Sequence, residues 1–278
     1  MGLKVNTNIE AINVHNNVVN TNNSVAASLK KLSSGLRISS AKDDAAGFAV
    51  ANAFKAKIAA MRVASQNASE AQSMLQVADG AYNKIHDILV RMKSLATQAA
   101  SGQSQDNLKT MNNEFGLLQD EIDRIAKSTK YGSTTLVDAS TVALNGITFQ
   151  VGATNTSNDQ IKVTFNGATA SCLSVAKSDI DISGLTSAQS AMDAIDQALT
   201  SINSYMGEIG AYQNRLQYTV ENLAISIENF SASESTIRDV DMAEEMTTFT
   251  KNQILQQSGM AMLAQANQAP QQVLSLLK

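Results

Sequence analysis

The chain has 278 residues, no tryptophan, 4% aromatic residues and a formal net charge of −4. A core so poor in large rings is easier to build from long packed helices than from a compact sandwich or a doubly wound sheet. The acidic balance disfavours a general nucleic-acid binder. The one cysteine, Cys172, excludes an internal disulfide and a cysteine metal cluster, and we expect it to be a small packed residue. No apolar run approaches the length of a membrane span.

The first predicted helix starts near Val5, where apolar residues recur at steps of three, four or seven. They are Val5, Ile9, Ile12, Val19, Val25, Leu29, Leu32 and Leu36. The rest of this segment is mostly Asn, Ser, Thr and Ala, so the apolar seam is thin. Its burial offsets too little of the ~1–2 kcal/mol of backbone entropy lost per residue. We therefore expect this helix to order only against the other end of the chain and other copies.

The middle of the chain predicts two more helices and a small β insert. Between residues 43 and 130 the pattern indicates two long amphipathic helices with a break near residues 100–107. From Tyr131 to about Gly184, Ser, Thr, Gly and β-branched residues dominate. Apolar and polar residues alternate in 147–151 and in 161–165, which predicts a β-hairpin.

Helix returns from Ser187 to about Ser235, where steps of seven favour coiled-coil packing. The acidic stretch 239–245 suits the N-terminal end of a last helix. That helix carries an intermittent stripe of Met242, Met246, Phe249, Ile254, Met262, Val273, Leu274, Leu276 and Leu277. The order helix, helix, β insert, helix, helix predicts a mainly α protein. We expect a long antiparallel helical hairpin, a coiled-coil rod, with a small β-hairpin insert.

Residues that could carry catalysis are scattered. His15 and His86 are isolated from each other, and no phosphate-binding glycine loop or nucleophile elbow occurs. The paired acids Asp43-Asp44 and Glu244-Glu245 are adjacent residues that point apart on a helix, which favours capping or solvation. We therefore predict no enzyme activity, no metal and no cofactor.

Three motifs resemble bacterial flagellin. The longest is Leu-Ser-Ser-Gly-Leu-Arg-Ile-Ser-Ser-Ala-Lys-Asp-Asp-Ala-Ala-Gly at 32–47, and the others are Glu-Ile-Asp-Arg-Ile at 121–125 and Ala-Asn-Gln-Ala-Pro-Gln-Gln-Val-Leu-Ser-Leu-Leu at 266–277. The resemblance covers about 1–140 and 187–278. Because the unmatched middle is short, it implies a short form that lacks large outer domains.

The resemblance implies a filament subunit with four segments. Residues 1–42 and 237–278 would form the two parts of an inner-tube helical domain. Residues 43–178 would start the rod domain, with the β insert at about 131–178, and 179–236 would be its C-terminal helix. The inner-tube assembly residues would be Val5, Ile9, Ile12, Leu29, Leu32, Leu36, Met246, Phe249, Ile254, Met262, Val273, Leu274 and Leu277.

The resemblance also implies partners and a location. The start of the chain lacks the features of a cleaved secretory signal, which by itself indicates a cytoplasmic protein. Export through the flagellar secretion channel would instead place the protein outside the cell, in the filament. Partners would be further copies, the filament cap, hook-filament junction proteins and a secretion chaperone on the C-terminal helix, with neither nucleic acid nor a membrane among them.

Relatives recognised by Toll-like receptor 5 use an arginine, a leucine, a glutamine and a later glutamate of the rod domain. The matching positions here are Arg91, Leu95, Gln98 and Glu114. The first three follow steps of four and three, which place them on one helix face. The alternative is that Leu95 belongs to the core and the others form a solvated or intersubunit face.

Two other functions are compatible with the sequence. A hook-filament junction protein would share the terminal helices, although the tail from Pro270 to Leu277 favours flagellin. A secreted surface binding module would use the Ser/Thr-rich insert, which is small and has few aromatic residues.

Overall fold

The computed structural model describes residues 7–101, 107–139 and 145–276, and the side chains of the last helix up to residue 268. Five long helices dominate the described part of the chain. They are α1 (Ile9–Ser34), α2 (Ala45–Ala99), α3 (Leu108–Ser128), α4 (Leu185–Arg238) and α5 (Met242–Leu276). The mainly α prediction with long antiparallel helices is confirmed. The predicted start of the first helix at Val5 lies outside the described residues.

Between α3 and α4, the described residues form four short strands in two antiparallel pairs. They are β1 (Lys130–Tyr131), β2 (Thr134–Thr135), β3 (Ile147–Gln150) and β4 (Gln160–Val163). In the second pair Ile147 faces Val163 and Phe149 faces Ile161, so the predicted β-hairpin is confirmed. A helical turn at Ser157–Asp159 precedes β4, and Val151 N–H donates to the Asp159 carbonyl at 2.8 Å across the connection.

The chain forms two compact units. One contains residues 1–58 and 228–278, and the other contains residues 59–227. We call them the terminal unit and the central unit. The domain boundaries expected at residues 42, 178 and 236 concern the assembled filament and stay predictions.

The central unit has a continuous hydrophobic core. Helices α2 and α4 run antiparallel within it, joined by a Lys93–Asp196 ion pair of 2.5 Å near one end and by Gln72 with Gln217 further along. Its largest fully buried side chains are Tyr82, Phe115, Phe165, Leu75, Ile85, Leu89, Met92, Ile122, Leu136, Ile182, Ile195 and Ile202. Because Ile161, Val163 and Phe165 belong to this core, the β-hairpin is part of the central unit and not a separate module.

Two buried polar groups tie the insert to the helices of the central unit. The Tyr82 hydroxyl donates to the Asn166 carbonyl at 2.6 Å. The buried Gln119 amide donates to the carbonyls of Val175 and Ile180, at 2.9 and 3.2 Å. Each bond satisfies a group that would be costly to bury alone.

The expectation that Cys172 is packed is wrong. Cys172 is exposed, whereas Leu173 and Val175 are buried. In this turn the two larger apolar residues face the core, so the cysteine between Ser171 and Leu173 faces solvent.

The terminal unit pairs α1 with α5 in antiparallel fashion. The Asn8 amide donates to the Ala266 carbonyl at 2.8 Å near one end, and Lys31 forms a 3.4 Å ion pair with Glu245 near the other. The prediction that the two ends of the chain meet is confirmed. Among the described residues, no helix is long and apolar enough to cross a membrane.

Candidate assembly surface

The contact between α1 and α5 is made largely by small and polar residues. A Cβ added to Gly259 would lie 2.8 Å from Val18 Cγ2, so this glycine permits close approach of the two helices. Ala11, Val18 and Ser28 are the buried residues of α1, and Gln256 donates to Asn22 at 2.5 Å. This pairing covers little apolar area, so it contributes little hydrophobic free energy.

Ten of the larger apolar residues of the two helices remain exposed. They are Ile9, Ile12, Val19 and Leu29 of α1, and Met242, Met246, Ile254, Leu255, Met260 and Met262 of α5, with 41–60% of each residue accessible. Six of the predicted assembly residues belong to this group, which we call the exposed apolar set. So many exposed large apolar residues on two paired helices indicate an interaction surface.

The remaining predicted assembly residues are distributed differently. Leu32, Leu36 and Phe249 are half-buried. Val5 and Leu277 lie outside the described residues, as do the side chains of Val273 and Leu274. Sequence reasoning missed Leu255 and Met260, which are found only by their exposure.

A short joint connects the helices of the terminal unit. Gly35 caps α1 with φ of 69°, a left-handed conformation that favours glycine, and the Val240 N–H donates to its carbonyl at 3.0 Å. The Arg37 N–H donates to the Arg238 carbonyl at 2.7 Å, and the Arg37 guanidinium donates to the Ile237 carbonyl, also at 2.7 Å. The joint therefore crosslinks the two connections, between α1 and α2 and between α4 and α5.

Aspartates order both connections of the joint. Asp43 Oδ2 accepts hydrogen bonds from the backbone and hydroxyl groups of Ser39 and Ser40, which lower the pKa of this carboxyl below its ordinary value of 3.8. Asp44 accepts from the N–H groups of Ala46 and Gly47 and caps α2. Asp241 likewise caps α5. These acids therefore act as caps and turn formers, as their spacing predicts.

Gly47 lies close to two side chains of the joint. A Cβ there would lie 2.4 Å from Asp44 Oδ2 and 2.9 Å from Ile38 Cδ1. The conformational roles of Gly35, Asp43, Asp44 and Gly47 account for much of the motif at 32–47.

In the central unit, the structure brings together two of the four residues that match the receptor surface. Arg91 Nε and Nη2 both donate to Glu114 Oε1, at 3.0 and 2.7 Å, and both side chains are exposed. Gln98 is exposed as well. Leu95 is only 2% exposed, so its assignment to a surface is corrected: it packs in the core of the central unit.

Metal-binding side chains are dispersed. Within the described part of the chain, no three His, Cys, Asp or Glu residues lie close enough to hold a metal ion together.

The fold and the exposed apolar set together indicate the class of protein to which this chain belongs. Paired terminal helices that cover little of their apolar surface, beside a central unit with its own core, are typical of a subunit that completes its packing in a polymer.

The comparisons with known proteins identify the family. A model of the bacterial flagellin N-terminal helical region matches residues 5–142, and one of the C-terminal helical region matches residues 192–277. The chain is 41% identical over 275 residues to a flagellin of Halalkalibacterium halodurans, covering 99% of both chains. It is 38% identical over 306 residues to a flagellin of Bacillus subtilis, covering 99% of this chain and 100% of that one.

A solved structure shares the fold at lower identity. It is described as a flagellar hook-associated protein from Vibrio parahaemolyticus, with a TM-score of 0.59 at 13% identity, covering 71% of this chain and 100% of that one.

The chain belongs to the bacterial flagellin family, and it is a structural subunit of the flagellar filament.

Proposed function

We propose that the exposed apolar set forms the contacts between copies at the centre of the filament. The observation that carries this proposal is that ten large apolar residues on α1 and α5 are left 41–60% exposed by the pairing of the two helices. Such contacts join different faces of successive copies and do not close, so they extend into a helical polymer.

The exposed apolar set contributes part of the free energy of assembly. Fully burying a Val, Leu, Ile or Met side chain contributes about 1.5–3 kcal/mol. Because these residues are about half exposed in the single chain, covering each contributes roughly 1 kcal/mol. The set would then supply on the order of 10 kcal/mol per copy, which helps to offset the entropy lost on ordering the terminal helices.

A substitution within α5 tests this proposal. Ile254→Glu places a charge at the most exposed of the large apolar side chains described on α5, which is 60% accessible, so the single chain should fold normally. We expect seeded polymerisation, followed by electron microscopy, to show no filaments. Ile254→Met keeps the apolar surface and should polymerise, and Gln257→Glu tests whether added charge alone prevents assembly. Filaments of normal length from Ile254→Glu would overturn the proposal.

The surface of α5 also supports a role for a partner before assembly. An exposed apolar surface favours aggregation unless it is covered. We propose that a secretion chaperone binds this helix. The chain then leaves through the flagellar secretion channel. It reaches an extracellular filament, which is bounded by the cap and the hook-filament junction proteins. Binding of the chaperone to full-length protein, lost in Ile254→Glu but kept in Ile12→Glu, would support this assignment to α5.

The ion pair between Arg91 and Glu114 supports a second candidate role. We propose that it forms, with Gln98, a surface of the central unit that contacts Toll-like receptor 5, while Leu95 supports α2 from the core. Arg91→Ala and Glu114→Ala should each weaken binding of monomeric protein to the receptor ectodomain. Loss of filament formation without loss of receptor binding would assign these residues to an intersubunit face instead.

A further inference from the structure

The methionines are distributed unequally between the two units. In the central unit Met61, Met74, Met92 and Met111 are at most 8% exposed, and Met192 and Met206 are half-buried. In the terminal unit Met242, Met246, Met260 and Met262 are 48–57% exposed, and all of them lie on α5. Among the methionines that the structure describes, the strongly exposed ones are therefore confined to one helix.

This distribution matters because thioether oxidation depends on access. A peroxide reaches an exposed methionine sulfur directly, whereas a close-packed core excludes it. The sulfur attacks one peroxide oxygen, a sulfur–oxygen bond forms and the oxygen–oxygen bond breaks. The sulfur loses two electrons. The second oxygen takes up the proton of the first oxygen and leaves as water. The product is a sulfoxide, which is polar and hydrogen-bond accepting.

We propose that Met242, Met246, Met260 and Met262 are a selective oxidation site for peroxides, and that their oxidation prevents the chain from joining a filament. The inference rests on the proposed function, because it requires that this surface be covered by other copies. A sulfoxide in a dry contact has lost its hydrogen bonds to water, and a bulkier, polar side chain no longer fits an apolar contact.

For the same reason, the rate of oxidation of these four methionines depends on the state of assembly. In the single chain the four sulfurs are open to solvent. In the filament they are covered by neighbouring copies, so oxidation is fast before assembly and slow after it. The four buried methionines of the central unit are protected in both states.

The test uses full-length protein and hydrogen peroxide. Monomers are treated, the oxidised methionines are mapped by peptide mass spectrometry, and seeded polymerisation is then measured. We expect the four α5 methionines to be oxidised while Met74 and Met92 are intact, and the protein concentration needed for growth to rise at least about tenfold. Treatment with methionine sulfoxide reductases should restore growth, because these enzymes reverse the modification.

A matched variant isolates the cause. Replacing the four methionines by leucine keeps the apolar volume nearly unchanged, and this variant should polymerise before and after peroxide treatment. If the variant does not polymerise at all, recovery of wild-type protein by the reductases decides the question. Normal growth of fully oxidised wild-type protein, or failure of the reductases to restore growth, would overturn the inference.

Preformed filaments separate this inference from the proposed function. If the four methionines are oxidised as fast in filaments as in monomers, the surface is not covered and the proposed function fails with the inference. If they are protected in filaments but oxidised monomers polymerise normally, only the inference fails.

Discussion

The central and terminal units use the same secondary structure for opposite purposes. In the central unit, Tyr82, Phe115 and Ile195 are among the large side chains that are fully buried within one chain. In the terminal unit, the buried residues of α1 are Ala11, Val18 and Ser28, while larger apolar residues stay exposed. The comparison shows that the central unit covers its large apolar residues within one chain, whereas the terminal unit leaves ten of its own exposed.

Truncation should break this comparison most clearly. Deleting residues 1–40, or the tail after Asp239, removes one helix of the α1–α5 pair and leaves the whole core of the central unit. We expect electron microscopy to show no filaments from either truncation, while circular dichroism still records cooperative thermal unfolding. Normal filaments from either truncation would contradict the account.

A core substitution should affect stability strongly in the central unit. Phe115 is 1% exposed, and Phe115→Ala should lower the free energy of unfolding by about 3–5 kcal/mol because it leaves a cavity. Leu117 lies on the same helix and is 68% exposed, so Leu117→Ala should change it by less than about 0.5 kcal/mol. Urea unfolding of the full-length monomers measures the free energy of unfolding of both variants. Equal losses in Phe115→Ala and Leu117→Ala would argue against a core that is complete within the central unit.

A buried hydrogen bond should have a smaller effect. Tyr82→Phe leaves the Asn166 carbonyl without the hydroxyl that donates to it at 2.6 Å, which should cost roughly 1–3 kcal/mol. Tyr218 is 70% exposed, so Tyr218→Phe is a matched control that should be nearly neutral in urea unfolding. A neutral Tyr82→Phe variant would mean that this bond does not hold the insert in place.

The same tyrosine predicts a pH dependence. Burial raises the pKa of Tyr82 well above its ordinary value of 10.0. The pKa of Tyr82 is higher in the folded state than in the unfolded state. The contribution of the neutral Tyr82 side chain to the free energy of unfolding is therefore fully present below pH 10 and is lost as the pH rises above it. Urea unfolding between neutral and strongly alkaline pH should show a smaller alkaline loss in Tyr82→Phe than in Tyr218→Phe. An equal loss in both variants would exclude Tyr82 as the source.

The ion pair between the two helices of the terminal unit, Lys31 with Glu245, should have the smallest effect. Lys31 and Glu245 are 3.4 Å apart at the edge of the α1–α5 contact, and Lys31→Ala should cost about 0–1 kcal/mol and less at high salt. Hydrogen exchange of α1 in the monomer reports this change. Lys84→Ala, which removes an exposed pair with Asp87, serves as the control and should leave α1 unchanged. A loss of several kcal/mol would show that charge, and not contacts between copies, holds this unit together.

Much of the fold follows from the sequence because the spacing of apolar residues and the position of turn residues are local properties. The helices, the break before α3 and the β-hairpin all come from the spacing of apolar residues and the position of turn residues. The roles of Asp44 and Asp241 as caps follow in the same way, because a cap is decided by its nearest neighbours in sequence.

Exposure could not be predicted in the same way. The spacing of apolar residues shows which of them share a helix face, but it does not show whether that face is covered within the chain. Leu95 shares a face with Arg91 in the sequence pattern, yet the packing of α2 in the central unit buries it. Cys172 was expected to be packed, but its neighbours Leu173 and Val175 take the inward positions.

For α1 and α5 the contact within the chain includes small residues such as Ala11 and Gly259, while ten larger apolar residues remain exposed. A sequence stripe of large apolar residues therefore indicates where burial is needed, but it does not say which molecule supplies the partner. Leu255 and Met260 illustrate this, because only their exposure assigns them to the surface.

Hydrogen exchange followed by mass spectrometry, on full-length monomers and on filaments, tests the central claim most directly. We expect the amides of α1 and α5 to exchange rapidly in the monomer and to become strongly protected in the filament, while the buried parts of α2, α3 and α4 in the central unit are protected in both. Equal protection of α1 and α5 in monomer and filament would show that the terminal helices are complete within one chain, and it would contradict the account.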